Sequence, residues 1–376
     1  MILFRADANS SIGMGHIMRC LSIADAISSI TSEPTIVSGK NSIKFVLADD
    51  GVAKLIKDRG YEPIVLHTDY KAMDSEIPVW EELADSIDAD LIIVDSYFVT
   101  DHYLSWLKEN IGFLAYIDDV LSFPYPADIL VNYNAYANLR DYQELYQGRK
   151  APEFLLGVEY APLRSMFQNI PPREQREEVK DVLLSTGGSD ELHIALEFVK
   201  YLCDHPSSFI YHILLGAMNP DKPAIREIAD KMPNVVIHEN VADMKSLICS
   251  MDLVISAAGS TLYEICACGT PLITFSTADN QIPGATAFST LGLAINIGDL
   301  RDPSSIIPGA VMSGTLASNA IEKLIIAMRK LAADKPARVA MSKSEQGMID
   351  ARGAERLAKE LVLQIKGNLI VSSCPF

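Results

Sequence analysis

Residues 1–28, MILFRADANSSIGMGHIMRCLSIADAIS, decide the fold class of this 376-residue chain. Residues 2–6 form a short apolar run typical of a buried strand, and the apolar side chains of residues 15–28 recur with helical periodicity. A loop that contains two glycines separates the two stretches. A strand, a glycine loop and a helix in this order predict the first βα unit of a parallel sheet covered by helices on both faces.

The same alternation of short apolar runs and helical stretches continues along the chain. In the first half, further strands are predicted at residues 43–48, 63–67, 91–95, 114–117 and 128–132. In the second half, strands are predicted at residues 182–185, 210–215, 235–238, 253–256, 272–275 and 293–297. The C-terminal part is predicted to be helical, with helices at 318–333 and 345–366. The pattern is therefore that of an α/β protein with two doubly wound, Rossmann-like domains.

A polar, proline-containing stretch at residues 168–180, QNIPPREQREEVK, is the predicted linker between these domains. It offers little apolar surface to bury, and its prolines oppose a continuous helix. We therefore expect a first domain at 1–168 and a second domain at 180–376 that includes the C-terminal helices. Ligands of such sheets bind at the carboxyl ends of the strands, so a ligand cleft between the two domains is expected.

Charge and hydropathy exclude several classes of function. The formal net charge is −17, which disfavours binding to nucleic acid or to an anionic membrane. Residues 1–160 carry −13 of this charge and the remainder −4, so an anionic ligand is expected in the second half. No apolar run approaches the roughly 18 residues of a membrane span, and the start lacks the basic segment of a signal peptide. A cytoplasmic protein, with a monomer favoured, is the expectation.

Neither a disulfide framework nor a metal site is predicted. The six cysteines are scattered in apolar surroundings without a C-x-x-C pair, and the seven histidines do not cluster. Reduced core thiols, no metal and no cofactor are therefore expected.

The loop after the first strand holds the first candidate site. Gly13 and Gly15 allow close approach of the backbone to a ligand, and His16 would lie in the first turn of the helix. The positive end of the helix favours the neutral imidazole that a general base needs, but a purely structural histidine fits the spacing equally well. Arg19, one turn later on the same face, favours a polar site, and Asp7 is predicted to contact substrate.

Two common nucleotide motifs are excluded. A dinucleotide fingerprint would need a third glycine where Met18 stands, and an acidic residue about 20 positions further on. Both are missing. A P-loop would need a GK[ST] sequence, which occurs nowhere in the chain.

The second half has a more specific turn between a predicted strand and a helix. Gly259, Ser260 and Thr261 are small residues whose amides could hold a diphosphate, and Glu264, one turn later, could accept both ribose hydroxyls. The alternative is an ordinary tight turn in which the glutamate only stabilises the helix N-terminus.

Polar turns at two neighbouring strand ends support the nucleotide interpretation. Gly187 and Gly188 follow the first strand of the second half, and Asn280 and Gln281 follow the strand at 272–275. Because parallel strands bring their carboxyl ends to one edge, the three turns are expected to converge on a nucleotide-sugar.

In the first half, polar side chains also follow successive strands. Asp95 and Tyr97 end one strand, Asp118 and Asp119 follow the next, and Asn132 ends the one after. Beside His16, such residues could hydrogen-bond a sugar or orient the imidazole. Each of them could equally be a solvated turn residue.

Several motifs together resemble one family. They are RADANSSIGMGHIMRCLSIA (5–24), IIVDSY (92–97), YIDD (116–119), ILVNYNAYA (129–137), YAPLRSMF (160–167), LLSTGGSD (183–190), ISAAGSTLYE (255–264), GTPLI (269–273) and DNQ (279–281). The chain resembles the UDP-sugar hydrolases of pseudaminic acid biosynthesis, which are similar to the GT-B glycosyltransferases. The resemblance spans about residues 1–300, and its most specific element is the G-x-G-H-x-x-R opening.

The resemblance implies roles for three residues: His16 as the catalytic base, Tyr97 near the sugar and Glu264 as the ribose ligand. It implies metal-independent hydrolysis of a UDP-linked diacetamido-trideoxy sugar, in which water attacks the anomeric carbon with inversion. A GT-B glycosyltransferase that uses a UDP-sugar is the alternative.

Overall fold

Two parallel β-sheets form the frame of the computed structural model, which describes residues 1–9, 12–30, 42–84, 86–302 and 316–372. The first sheet consists of β1 (Ile2–Ala6), β2 (Ile43–Leu47), β3 (Glu62–Val65), β4 (Leu91–Asp95), β5 (Phe113–Ile117), β6 (Ile129–Asn132) and β7 (Glu153–Leu156). The second consists of β8 (Asp181–Ser185), β9 (Ile210–Leu215), β10 (Val235–Glu239), β11 (Leu253–Ala257), β12 (Leu272–Ser276) and β13 (Ile295–Asp299). Every predicted strand overlaps one of these, and of the strands named here only β7 was not predicted.

Helices connect the strands and cover the sheets. They are α1 (Gly15–Ile30), α2 (Ala53–Asp58), α3 (Ile77–Ala84), α4 (Asp101–Asn110), α5 (Leu139–Leu145), α6 (Ile194–Asp204), α7 (Lys222–Ala229), α8 (Met244–Ser250), α9 (Thr261–Cys268), α10 (Ile282–Thr290), α11 (Leu316–Ala333), α12 (Lys335–Met348) and α13 (Gly353–Ser372). In the described part of the chain, no helix combines the length and the apolar character needed to cross a bilayer. The predicted α/β class is confirmed.

In each sheet, the direction in which successive strands are added reverses once. The first sheet runs β3-β2-β1-β4-β5-β6-β7 and the second β10-β9-β8-β11-β12-β13, with all pairs parallel. Central strands such as β1, β4 and β11 are buried along their whole length, which explains why most of their residues are apolar. Because the connections after β1 and β4 leave in opposite directions, a crevice opens between their carboxyl ends. The second sheet has the same kind of switch point between β8 and β11.

The chain divides into two compact units, but not at the predicted positions. The first unit comprises Met1–Ser165 together with the chain from Ala351 onward, and the second comprises Met166–Asp350. Helix α13 therefore belongs to the first unit, where it packs along α1. At Gly353 a side chain would meet the backbone of residue 161 at 2.2 Å, so this close approach requires glycine. Assigning the whole stretch 180–376 to the second domain thus differs from the observed division.

The single helix predicted at 345–366 is wrong, because the chain breaks between α12 and α13. Ala351 adopts a left-handed conformation with a φ of 58°, which no residue inside a helix has. The apolar spacing continues across this break, since each helix buries a face of its own. Helical periodicity alone therefore could not reveal the change from one unit to the other.

A buried ionic network ties β1 to the 3₁₀ turn Met73–Glu76, which directly precedes α3. Arg5, fully buried, donates through Nε to Glu76 at 2.9 Å and also contacts Asp7. Burial alone would lower the pKa of Arg5, but the hydrogen bond to Glu76 and the nearby negative charges raise it. Tyr103 also donates to Glu76, at 2.7 Å. The network stabilises the fold only while its partners stay together, since an unpaired buried charge is costly.

Replacing Arg5 by leucine should therefore lower the free energy of unfolding by about 3–5 kcal/mol, because Glu76 would remain buried beside Asp7 without its cation. Urea titration followed by circular dichroism measures this loss. The exposed pair Lys54–Asp58 provides the control, and Lys54→Ala should change the stability by less than about 0.5 kcal/mol. Equal effects of the two substitutions would show that the buried network does not stabilise the fold.

Candidate active site

The first candidate site lies at the switch point of the first sheet. His16 stands in the opening turn of α1, and Asp95 is the last residue of the neighbouring strand β4. The register pairs Ala6 at the end of β1 with Asp95, so the loop that follows β1 starts beside this carboxylate. His16 and Asp95 are 4% and 1% exposed, so their interaction is largely shielded from water.

His16 and Asp95 form a carboxylate–imidazole pair. Nδ1 of His16 lies 2.6 Å from Oδ1 of Asp95. An oxygen anion this close requires a proton on Nδ1, so in the neutral ring the lone pair is on Nε2. The ring of Tyr97 packs edge-on against the imidazole, with centroids 4.6 Å apart and an interplanar angle of 84°. The hydrogen bond and this packing together fix the orientation of the ring.

Arg19 holds the pair from the other side. Its guanidinium contacts both oxygens of Asp95 and donates to Asp119 at 2.8 Å and to the hydroxyl of Tyr133 at 2.7 Å. Burial alone would raise the pKa of Asp95, but the charges of Arg19 and His16 hold it well below its usual range. The lowered pKa keeps Asp95 in its charged form behind the imidazole.

This arrangement suits general-base chemistry. A neutral imidazole can take a proton on Nε2, and the carboxylate behind Nδ1 stabilises the imidazolium that results. The sequence left open whether His16 is a base or a structural histidine. The geometry favours the base, since the partner of its inner nitrogen is an anion and a tyrosine lies against its ring.

Asp7 and Asn132 are engaged within the fold itself. One oxygen of Asp7 accepts the amide of Ala48 at 2.8 Å, and the other faces Arg5. The side-chain amide of Asn132 donates to the hydroxyl of Tyr142 at 2.8 Å, and its side-chain oxygen accepts the backbone amide of Asn134 at 3.0 Å. These bonds give both residues a structural role, and their predicted contacts with substrate stay predictions.

The two glycines of the loop have different roles. Gly13 has a φ of 74°, a conformation that favours glycine, and its amide donates to the carbonyl of Asn9 at 2.8 Å. Among the described atoms, none lies within 4 Å of a side chain added at Gly13 or at Gly15, where α1 begins. The positive φ and the hydrogen bond between Gly13 and Asn9 make the backbone tight at this point.

Asp119, Tyr133 and Asn134 also belong to this site. Asp119 follows β5, and the other two follow β6, at the same edge of the sheet as His16. Asn134 donates to Asp119 at 2.8 Å. The pairs Asp118-Asp119 and Asn132–Asn134 were visible at strand ends, but the sequence could not show which member of each faces Arg19.

The β8–α6 turn of the second unit is tight, and the carboxylate of Asp190 already accepts hydrogen bonds from its amides. Gly187 has a φ of 90°, and a side chain at Gly216 would lie 2.2 Å from its carbonyl oxygen, so two backbone segments meet here. The carboxylate of Asp190 accepts the amides of Ile194 and Ala195 at 3.0 and 2.9 Å. The first amides of α6 thus have Asp190 as their hydrogen-bond acceptor, so the turn at Gly188 does not offer them to a ligand.

The β11–α9 turn differs in this respect. The side chain of Ser260, at the N-cap of α9, makes no capping hydrogen bond, and Ser260 is exposed. Gly259 and Thr261 flank it, and Glu264 lies in the first helical turn. Since β8 and β11 are neighbours, this turn lies at the switch point of the second sheet.

Asn280 and Gln281 belong to a 3₁₀ turn, Asp279–Gln281, after β12. The side-chain oxygen of Gln281 accepts the amide of Thr277 at 2.8 Å, so it stabilises its own loop. Asn280 is exposed. Within the described ranges, no three His, Cys, Asp or Glu side chains group as metal ligands.

Comparisons with known proteins identify the fold. No protein-family model matches the chain. Among solved structures, Acinetobacter baumannii MurG superposes with a TM-score of 0.61 at 13% identity, over 96% of this chain and 99% of that one. The spinosyn rhamnosyltransferase SpnG with thymidine diphosphate gives 0.63 at 13% identity, over 96% and 100%. The chain has the GT-B fold. The two doubly wound sheets that the sequence predicted are thus arranged as in these solved structures.

Two curated relatives carry hydrolase names. The UDP-2,4-diacetamido-2,4,6-trideoxy-beta-L-altropyranose hydrolase of Campylobacter jejuni is 29% identical over 265 residues, which cover 68% of this chain and 85% of that protein. The pseudaminic acid cytidylyltransferase and UDP-2,4-diacetamido-2,4,6-trideoxy-beta-L-altropyranose hydrolase of Helicobacter pylori is 31% identical over 207 residues. This match covers 54% of this chain and 37% of that protein.

Proposed function

We propose that this GT-B chain is a UDP-sugar hydrolase of pseudaminic acid biosynthesis, which releases UDP and the free sugar from a UDP-linked diacetamido-trideoxy sugar. The observation that carries the proposal is the His16–Asp95 pair at the switch point of the first sheet, held by Arg19. The names of the Campylobacter and Helicobacter relatives support the reaction and the substrate class.

The chemistry assigned to the first unit is activation of water. Nε2 of His16 removes a proton from a water molecule while its oxygen attacks the anomeric carbon opposite the leaving group. The bond between that carbon and the β-phosphate oxygen breaks, and its electron pair leaves with UDP. Inversion at the anomeric carbon follows from the direction of attack. Asp95 stabilises the imidazolium, which then returns its proton to solvent.

The second unit is proposed to bind the uridine diphosphate. The negative charge of this leaving group matches the N-terminus of α9, whose dipole favours an anion there and whose N-cap residue, Ser260, makes no side-chain capping hydrogen bond. The N-terminus of α6 is less suitable, because Asp190 already occupies it. Glu264, in the first turn of α9, is assigned to the ribose hydroxyls. In this scheme the leaving group is stabilised by the protein without a metal.

A glycosyltransferase is the second candidate, because the solved structures that share this fold include transferases such as the spinosyn rhamnosyltransferase. The two functions differ in the acceptor. A transferase passes the sugar to an acceptor molecule, whereas a hydrolase needs only water.

Incubation of the purified chain with a UDP-diacetamido-trideoxy sugar and no acceptor separates the two functions. We expect release of UDP and free sugar in equal amounts over many turnovers, measured by chromatography of the nucleotide. Release that requires an added acceptor would overturn the hydrolase in favour of the transferase. A panel of UDP-linked stereoisomers in the same assay identifies the preferred sugar.

Glu264→Ala is expected to act on binding. Its ribose contact has the same strength in the ground state and the transition state, so KM should rise about 10- to 100-fold while kcat stays within about threefold. Steady-state kinetics and calorimetry with UDP measure this. Glu227 on the exposed face of α7 is the control, and its substitution by alanine should change neither value. An unchanged KM in Glu264→Ala would remove the residue from the nucleotide site.

A further inference from the structure

The carboxylate of Asp119 joins three different segments of the first unit. It accepts from Arg19 on α1 at 2.8 Å, from the Tyr97 hydroxyl after β4 at 3.2 Å, and from Asn134 after β6 at 2.8 Å. Its backbone carbonyl accepts the hydroxyl of Tyr136 at 3.0 Å. Its side chain is only 11% exposed, so these bonds are largely shielded from water.

The charges around Arg19 show why this carboxylate matters. One guanidinium lies between two carboxylates, Asp95 on one side and Asp119 on the other. Burial alone would lower the pKa of Arg19, but these two anions raise it well above its usual range. Asp119 therefore draws one end of the guanidinium away from Asp95, whose Oδ1 also has to accept from His16.

Tyr97 gives the second link to the imidazole. Its ring packs edge-on against His16, and its hydroxyl is anchored on the same oxygen of Asp119 that Arg19 contacts. A shift of this hydroxyl would move the aromatic edge that limits rotation of the imidazole. Displacements of about 1 Å in such a support are enough to reduce a rate by about 10²-fold.

We propose that Asp119 is a positioning residue for the reaction: it anchors Tyr97 and Arg19 together, so that His16 and Asp95 keep the geometry needed to activate water. This inference rests on the proposed hydrolase function. Asp119 acts through these two partners, since its hydrogen bonds reach Tyr97 and Arg19 and these in turn contact the imidazole and its carboxylate.

The adjacent Asp118 offers a matched control because it faces the other way. It is fully buried, and it accepts the hydroxyls of Tyr125 at 3.0 Å and Tyr142 at 2.6 Å. Its contacts hold the loop after β5 to α5, away from Arg19. Of these two neighbouring aspartates, Asp118 therefore has a structural role, and Asp119 is the one proposed to position the site.

The test compares kcat and KM in acceptor-free UDP release. Asp119→Ala should lower kcat about 10- to 100-fold and leave KM within about threefold, because positioning affects the transition state more than binding. Asp119→Asn should recover part of the loss, since its amide oxygen still accepts one hydrogen bond. Tyr97→Phe combined with Asp119→Ala should lower kcat by less than the product of the two single effects, because both substitutions act through one contact.

Asp118→Asn is the control for folding. It should lower the thermal unfolding midpoint and keep kcat within about threefold of wild type.

The outcomes separate this inference from the proposed function. A wild-type chain that turns over, together with an Asp119→Ala variant whose kcat is within threefold of it, would overturn the positioning role alone. A loss of kcat in Asp118→Asn equal to that in Asp119→Ala would also overturn it, because the effect would then be one of folding. A wild-type chain that releases no UDP from any sugar of the panel would overturn the hydrolase and this inference with it.

Discussion

Replacing His16 by alanine should lower kcat for UDP release about 10²- to 10⁴-fold while the fold stays intact. In the proposed reaction its imidazole deprotonates the attacking water, and Asp95 acts on that water through the imidazole. Discontinuous assays of UDP release measure the loss, and the thermal midpoint reports the fold.

The exposed His102 on α4 is the matched control for this substitution. His102→Ala should keep kcat within about twofold, because its ring is mostly in solvent and its ion-pair partner, Asp74, lies outside the proposed site. If His16→Ala retained activity within threefold of wild type, His16 would not be the base, and the assignment of the first unit as the catalytic one would fail.

Asp95→Asn is expected to lower kcat by up to about 10⁴-fold. The amide keeps the shape of the side chain but removes the charge that stabilises the imidazolium and that holds Nδ1 protonated. It also leaves one end of Arg19 without its anion. Because part of the effect could come from lower stability, the kinetics are measured well below the unfolding temperature of the variant.

The pH dependence of the charge on Asp95 is a separate test of the electrostatics. The pKa of Asp95 lies well below its usual range because Arg19 and His16 oppose the effect of burial. The carboxylate is therefore charged both at pH 5 and at pH 8, and its stabilising charge is lost only as the pH falls below the ordinary carboxyl range. Carbon-13 nuclear magnetic resonance of the Asp95 carboxyl group should therefore show the charged form at both values. Proton uptake by this carboxyl group between pH 8 and pH 5 would contradict the account.

The sheets could be predicted because burial on both faces leaves a simple signal. Strands such as β1, β4 and β11 have no exposed positions, so they appear as short, mostly apolar runs between polar turns. The short strand β7 gave no such signal. It lies at the edge of the sheet, begins with an exposed glutamate and buries little of its length.

The C-terminal helices show what periodicity cannot determine. Each of α12 and α13 has an apolar face, but the sequence does not say which unit buries it. Helix α13 packs with α1, which lies at the opposite end of the chain, and the close approach at Gly353 is a tertiary contact. Such contacts depend on the folded surface and have no local signature.

The site residues were partly predictable, for a topological reason. His16, Asp95 and Tyr97 follow the two strands that flank the switch point, so parallel order alone brings them together. The hydrogen-bond partner of each polar side chain was not predictable from the sequence. Asp7 contacts Arg5 and accepts the amide of Ala48, and only the structure separates Asp119 from Asp118.

Hydrolysis in water enriched in heavy oxygen is the decisive measurement for attack of activated water on the sugar. We expect UDP to be released without an acceptor and one heavy oxygen to appear at the anomeric carbon of the sugar, with none in the phosphates of UDP. The anomer released first should be the inverted one by nuclear magnetic resonance. Heavy oxygen in the β-phosphate, or labelled sugar formed equally fast by His16→Ala, would refute the proposed mechanism.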